Sequence, residues 1–219
     1  MKKIAVQNFN KSFEKIVVFD NFSCVFDNDI NIIMGPSGSG KTTLLNAIAG
    51  LISYDGVIEI DGIPYQDKCD ILVSYVFQSH RLIPQKTVFK NLDFALISVI
   101  KDKQNRKEKI LTMLNDIGLG EAINLYPYAL SGGMAQRVSL ARAFLFPSDI
   151  LLMDEPFKGL DTDTRQTVID IFFKLWQKDK RTVVFVTHDK NEADKFNGSI
   201  YNFPNKPIVG SFCPANTLN

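Results

Sequence analysis

Nine consecutive residues, GPSGSGKTT from Gly35 to Thr43, have the composition and spacing to hold a chain of phosphates. They fit the pattern Gly, four residues, Gly-Lys-Ser/Thr, directly after the apolar run INIIM (Ile30–Met34) and directly before a helix-forming stretch. Wrapping backbone around phosphate needs several N–H groups pointing inward with no Cβ in the way. Gly35, Gly38 and Gly40 allow that among Pro36, Ser37 and Ser39. Lys41 would set its ammonium on the β- and γ-phosphates, and Thr42 would ligate Mg²⁺. Thr43 continues into a helix whose N-terminus carries partial positive charge. The chemistry these residues suit is nucleotide binding through the phosphates.

Phosphoryl chemistry at such a loop needs a further metal contact and a group to orient water. ILLMDEP (Ile150–Pro156) is an apolar run ending in two carboxylates. Asp154, at the strand end, can hold the Mg²⁺ shell; Glu155 points elsewhere and can polarise an attacking water as general base. His188, in VFVTHDKNEAD, follows the next apolar run, where ligands gather at the carboxyl ends of parallel strands. By itself it also fits a cap or a loop. A second anion-type helix start opens LSGGMAQRVSLARA (Leu130–Ala143) with Ser131, Gly132 and Gly133. Read alone, those residues are a plain helix N-cap. Beside a better phosphate cradle upstream, they raise the question of what a second one is for.

The elements that must position these residues alternate. Residues 3–9 and 16–26 read as antiparallel strands, and DGVIEIDG (Asp55–Gly62) as a short strand between two Asp-Gly turns. Ile30–Met34, Leu72–Phe77, Ile150–Asp154, Thr182–Thr187 and Ser199–Phe203 have the length and composition of buried strands. Helical periodicity marks Lys41 to a C-cap at Gly50, residues 104–116, and 163–178, where Val168, Ile171, Phe172 and Leu175 share a face. Strand, helix, strand repeated implies a mostly parallel sheet with helices packed on it. Residues 79–145 carry almost no strand signal and read as a helical insertion.

Composition bounds the rest. The 219 residues, 45% hydrophobic, suit one large domain or a core with an insertion. No apolar stretch reaches membrane-span length, and MKKIAVQNF enters a strand pattern without a leader. A formal charge of +1 gives no electrostatic ground for a nucleic-acid partner. Cys24, Cys69 and Cys213 have no metal-ligand spacing and read as thiols of a reducing compartment.

Taken in order, GPSGSGKTT, VFQ with Gln78, LSGGMAQR, ILLMDEP, GLD with Asp161 and VTHD with His188 resemble the motif series of an ABC-type ATPase. These correspond to Walker A, Q-loop, signature, Walker B, D-loop and H-loop. The resemblance covers about residues 1–205. It implies an α/β P-loop NTPase fold: a mostly parallel core sheet, an N-terminal antiparallel β subdomain and an inserted helical subdomain. The core would span about 1–78 and 146–205, the helical signature subdomain about 79–145, and 206–219 a short tail.

The resemblance also answers the question of the second cradle. In this family two cassettes pair head to tail, each ATP lying between the P-loop of one and the signature of the other. Ser131, Gly132 and Gly133 would then donate to the γ-phosphate held by the partner's Lys41 and Thr42. The same resemblance makes Gln78 a contact to Mg²⁺ or water that also senses a transmembrane subunit. It makes Asp161 a residue crossing the dimer interface, His188 a γ-phosphate contact, and Phe13 the aromatic that stacks on adenine, since a phenyl ring offers a π-face to the base.

VFQSHRLIPQKTVFKNL (Val76–Leu92) is similar to cassettes of nitrate, sulfonate and taurine importers, with Pro84-Gln85 where relatives often have Pro-Trp. DEPFKGLD likewise differs from the DEPTGNLD of lipoprotein-release and cell-division cassettes. The resemblance thus implies an ATPase on the inner face of the cell membrane, driving a separate permease and, indirectly, served by an extracytoplasmic solute-binding protein. Segment 79–100, through Arg81, Leu82, Pro84, Val88, Leu92 and Phe94, is the candidate contact for the permease's coupling helix. After Phe203 there is no room for the regulatory domain usual in sugar-importer cassettes. An exporter-type cassette and a non-transport ABC ATPase stay open as alternatives; a P-loop kinase or GTPase leaves LSGGMAQR unexplained.

Overall fold

The computed structural model describes residues 1–65 and 71–215, and these pack as two units. The first comprises Met1–Tyr75, Asp149–Glu155 and Arg181–Asn219; the second, Val76–Ser148 and Pro156–Lys180. Along the chain run β1 (Ile4–Phe13), β2 (Ile16–Phe26), β3 (Ile30–Met34), α1 (Lys41–Ile48), β4 (Asp55–Ile60), β5 (Ile63–Pro64) and β6 (Val73–Val76). They continue with α2 (Val88–Leu96), α3 (Lys103–Asp116), α4 (Gly132–Leu145), β7 (Ile150–Asp154), α5 (Thr162–Lys178), β8 (Thr182–Val186), α6 (Lys190–Phe196), β9 (Ser199–Asn202) and β10 (Ile208–Phe212). This is the expected α/β architecture, with a parallel sheet, a mixed sheet and helices.

The parallel sheet has the order β6-β7-β8-β3-β9. Every residue of β7 and β8 is buried, which is why these strands, Asp154 and Thr182 at their ends apart, are apolar runs rather than alternating ones. The second sheet has the order β10-β2-β1-β4-β5 and is antiparallel except where β10 runs along β2. Register shifts interrupt the β1–β2 hairpin where Asn8 and Asn21 adopt left-handed backbone, each with φ 48°. Asparagine tolerates this because its short amide bonds locally. Asn10 Nδ2 donates to Asn8 O at 2.7 Å, and Asn21 N donates to Asn10 Oδ1 at 2.8 Å. Those irregularities let β1 run on to Phe13, past the predicted end at residue 9.

The first unit's core is aromatic. Phe9 meets Phe19 edge-on at 5.1 Å between centroids, and Phe22 meets Phe203 and Phe212 at 5.5 Å each. Residues 206–219 were expected to be a tail. Instead, Ile208–Phe212 forms β10, with Ile208 fully buried. Pro207 just before the strand and Gly210 inside it weaken its strand signal in the sequence, and the free edge of β2 supplies its hydrogen-bond partners. Cys24 is buried and Cys213 exposed; Cys69 lies outside the described residues.

In the second unit α4 is the central rod, with α2, α3 and α5 packed on it. Thr87, Asp102, Ser131 and Asp161 cap its four α-helices, each accepting a backbone N–H from the third helical residue. The expected core, 1–78 and 146–205, differs from this division at α5. Its buried face (Val168, Ile169, Phe172, Leu175) packs in the helical unit, Phe172 lying 6.0 Å from Phe144. One expectation needs correction. Val88 and Leu92 lie on the buried face of α2, fully covered, and cannot belong to a contact surface, whereas Arg81, Pro84 and Phe94 are exposed. Among the described residues no helix is long and apolar enough to cross a membrane.

The burial of β10 is testable by urea denaturation. Ile208→Ala should destabilise by about 2–4 kcal/mol, as a core truncation does. Val209→Ala, at an exposed position on the same strand, should stay within about 0.5 kcal/mol.

Candidate nucleotide site

In the first unit β3 delivers the chain into the glycine-rich loop and α1 takes it away. Gly35, Gly38 and Gly40 all have positive φ, 154°, 78° and 103°. The outer side of the loop is closely packed. A Cβ on Gly40 would lie 2.6 Å from Val18 Cγ1 and 3.0 Å from the Phe19 ring; one on Gly35 would lie 2.6 Å from Phe203 O. Lys41 is buried in the curl, its Nζ donating to Gly35 O and Pro36 O at 2.8 Å each. Ser39 Oγ is buried without a hydrogen-bond partner, a hydroxyl with unmet capacity at the loop. Pro36, Ser37 and Gly38 are exposed at the rim.

Thr42, the second residue of α1, donates its hydroxyl to Asp154 Oδ2 at 2.9 Å. A hydroxyl beside a carboxylate at a phosphate loop is a hard-oxygen donor set, the kind that Mg²⁺ completes with phosphate and water. Asp154 ends β7 and is buried. At Glu155 the backbone turns left-handed, φ 43°, while its N–H still donates to Val186 O at 3.0 Å. That turn sends the Glu155 side chain away from Asp154, and its Oε1 lies 3.3 Å from His188 Nδ1. His188 is 57% exposed, so this contact is half open to water. Its loop is held by neighbours: Thr187 Oγ1 donates to Glu192 Oε2 at 2.6 Å and accepts from Asp189 N at 3.0 Å. Phe13, at the end of β1, is 47% exposed with Lys11 Nζ 5.1 Å above its ring.

The remaining nominated residues belong to the second unit. Gln78 is exposed just after β6. Ser131 caps α4, its Oγ accepting from Met134 N at 3.2 Å. Asp161 caps α5, its Oδ1 accepting from Thr164 N at 3.0 Å. The backbone and side-chain hydrogen bonds from Thr164 hold the Asp161 carboxyl below the usual carboxylate range. The two helix starts touch. A Cβ on Gly133 would fall 2.3 Å from Thr164 Cγ2, so the glycine is what lets α4 begin against α5.

Thr164, Val18 and the Thr187–Glu192 pair escaped the sequence analysis. For Thr187 and Glu192 a signal existed in the polar spacing of THDKNE; for Val18 and Thr164 there was none, because only packing brings them to a glycine. Gly133→Ala should therefore cost about 1–3 kcal/mol by overcrowding. Adding Thr164→Ser, which removes the opposing methyl, should recover most of that in thermal unfolding.

The description of ABC transporters matches residues 21–158 of this chain. An ABC transporter ATP-binding protein of Methanocaldococcus jannaschii is 41% identical over 201 residues, spanning 87% of this chain and 73% of that protein. The aliphatic sulfonates import ATP-binding protein SsuB of Bacillus subtilis is 43% identical over 162 residues, 74% of this chain and 62% of its own length. Among solved structures, the dimeric bacterial ABC transporter cassette MJ0796 superposes with a TM-score of 0.81 at 33% identity, covering 92% of this chain and 94% of that one. With the phosphate loop, the strand-end carboxylates and the capped signature helix, these similarities place the chain in the ABC transporter family, as one of its ATP-hydrolysing ATP-binding cassettes.

Proposed function

We propose that this cassette works as a head-to-tail pair around two ATP–Mg²⁺ and drives a separate membrane permease that imports a small solute. The observation that carries this reading is the presence of two anion cradles, the Gly35–Thr43 loop in one unit and the exposed Ser131-Gly132 start of α4 in the other. A single nucleotide bound by one chain needs only the first. A second cradle has work to do when it meets the γ-phosphate on a neighbouring copy, and the related cassette MJ0796 is dimeric. ATP then joins two copies and hydrolysis removes the bridging group.

The roles follow from the chemistry of each side chain. Backbone N–H groups of the loop and Lys41 hold the phosphates, and the exposed ring of Phe13 stacks on the base. Mg²⁺, when bound, neutralises phosphate charge, and Thr42 and Asp154 would hold it, with Gln78 as a further contact. Glu155 accepts the proton of the attacking water, and His188, beside it, donates to the γ-phosphate. Asp161 crosses to the partner copy. The exposed Arg81, Pro84 and Phe94, with Leu82, contact the permease, which places the cassette at the inner face of the membrane. The import direction is supported by the relative whose name specifies sulfonate import; an extracytoplasmic binding protein would present the solute.

The test is to purify tagged Glu155→Gln protein with ATP from native membranes in mild detergent and identify what accompanies it. A multi-span membrane protein is expected; soluble partners alone would overturn the transporter reading. Glu155→Gln itself should hydrolyse ATP at least about 100-fold more slowly, the scale of a lost general base, and sediment as an ATP-bound dimer. Ser131→Arg should keep ATP binding while losing both dimerisation and turnover in the same assays.

A further inference from the structure

The chain just after Gln78 is strapped to the signature helix by side chains whose roles are so far unassigned. Arg142, in the last turn of α4, donates from Nη1 to Arg81 O at 2.7 Å and from Nη2 to His80 O at 2.9 Å. Ser139, one turn earlier, reaches His80 O at 3.5 Å. Arg81 sits in left-handed backbone, φ 45°, with its guanidinium 3.8 Å above the Phe77 ring. Further along, Asn91 of α2 is 1% exposed and spans the next turn. Its Oδ1 accepts from Ile83 N at 2.7 Å, and its Nδ2 donates to Lys86 O at 2.9 Å and Thr87 O at 3.0 Å. The segment from His80 to Thr87 is thus pinned at one end to α4 and at the other to α2.

The choice of arginine carries information. Among the described residues Arg142 has no carboxylate within ion-pair distance, and burial pushes its pKa down. Arg142 is half-buried, and drawing a cation partly out of water to meet two carbonyls is a costlier way to fill space than an apolar side chain. What the guanidinium supplies is geometry. Its rigid fork aims two N–H groups at two successive carbonyls, which a lysine ammonium on a flexible stem cannot reproduce. The bonds fix where the turn stands relative to α4.

We propose that Arg142 is a positioning residue of the paired nucleotide site, locking the turn that follows Gln78 to the helix that starts at Ser131. The two motifs then move as one body. A displacement of residues 81–87 is delivered along α4, about 16 Å of helix at ~1.5 Å per residue, to Ser131 instead of being absorbed by the loop. The inference rests on the proposed role of Ser131 in holding a partner's nucleotide.

The experiment compares Arg142→Lys and Arg142→Ala with the parent protein, alone and combined with Glu155→Gln. It measures ATP affinity of the monomer, thermal stability, KM and kcat, and the ATP-dependent dimer fraction of the Glu155→Gln forms by sedimentation. Arg142→Lys should leave ATP affinity, KM and melting temperature nearly unchanged, lower kcat by about tenfold or more, and deplete the dimer. Faster amide exchange over residues 79–83 should accompany the loss. Retained kcat and dimer fraction would overturn the inference, and so would a parallel fall of ATP affinity, melting temperature and kcat, the mark of a residue that only keeps the unit folded. A Glu155→Gln protein that stays monomeric with ATP overturns the paired-site reading and this inference together. One that pairs equally well with and without Arg142→Lys overturns the inference alone.

Discussion

Gly40 lies so close to Val18 and the ring of Phe19 that one methyl group would collide with them. A loop that turns its N–H groups toward phosphate has few bonds of its own to hold its shape, so its outer side must be braced. Here the brace is the aromatic core of the first unit. Phe19 and Phe203 meet the loop at Gly40 and Gly35, and behind them Phe9, Phe22 and Phe212 interlock in edge-on and tilted pairs. The irregular β1–β2 hairpin thus supports the loop directly, through Val18 and Phe19, and β10 supports it from behind, through Phe212.

The other constraint in that unit is register. In the parallel sheet Asp154 on β7 pairs with Val186 on β8, and Val186 pairs with Ile33 on β3. The three chains therefore leave the sheet at one level, and the loop, the strand-end carboxylates and His188 emerge side by side. Adjacent residues are separated by backbone conformation. Asp154 remains in the strand and meets Thr42, while the left-handed turn at Glu155 takes its carboxylate to His188. Two acids one residue apart in sequence acquire different neighbours, which is how they can be suited to different tasks.

In the second unit polar side chains join apolar and aromatic packing in setting where the helices and turns stand. Ser131 and Asp161 each accept one of the orphan N–H groups of α4 and α5, and Gly133 allows those helix starts to meet at Thr164. Arg142 and Asn91 hold an irregular segment through its carbonyls, where a regular element would have held itself. Backbone without secondary structure still needs its hydrogen bonds met, and here long side chains from neighbouring helices meet them.

Much of this was legible beforehand, for local reasons. β3 and β7 matched their predicted bounds because a buried parallel strand is a short, mostly apolar run, recognisable without knowing its neighbours. The phosphate loop was legible because left-handed backbone and close approach select glycine at fixed spacing, and the start of α4 because the Ser131 cap is a property of a few adjacent residues. The tail could not be read this way: Ile208–Phe212 is a strand only because β2 has an edge for it. Nor could the burial of Val88 and Leu92 be foreseen, since an apolar residue on a short helix looks the same whether it faces a neighbour or a partner. Composition and period along the chain determined which local elements form and which residues are suited to phosphate chemistry. Tertiary structure alone decided which edge takes a strand, which glycine faces a methyl and which carbonyls an arginine meets, because those depend on groups far apart in sequence being packed together.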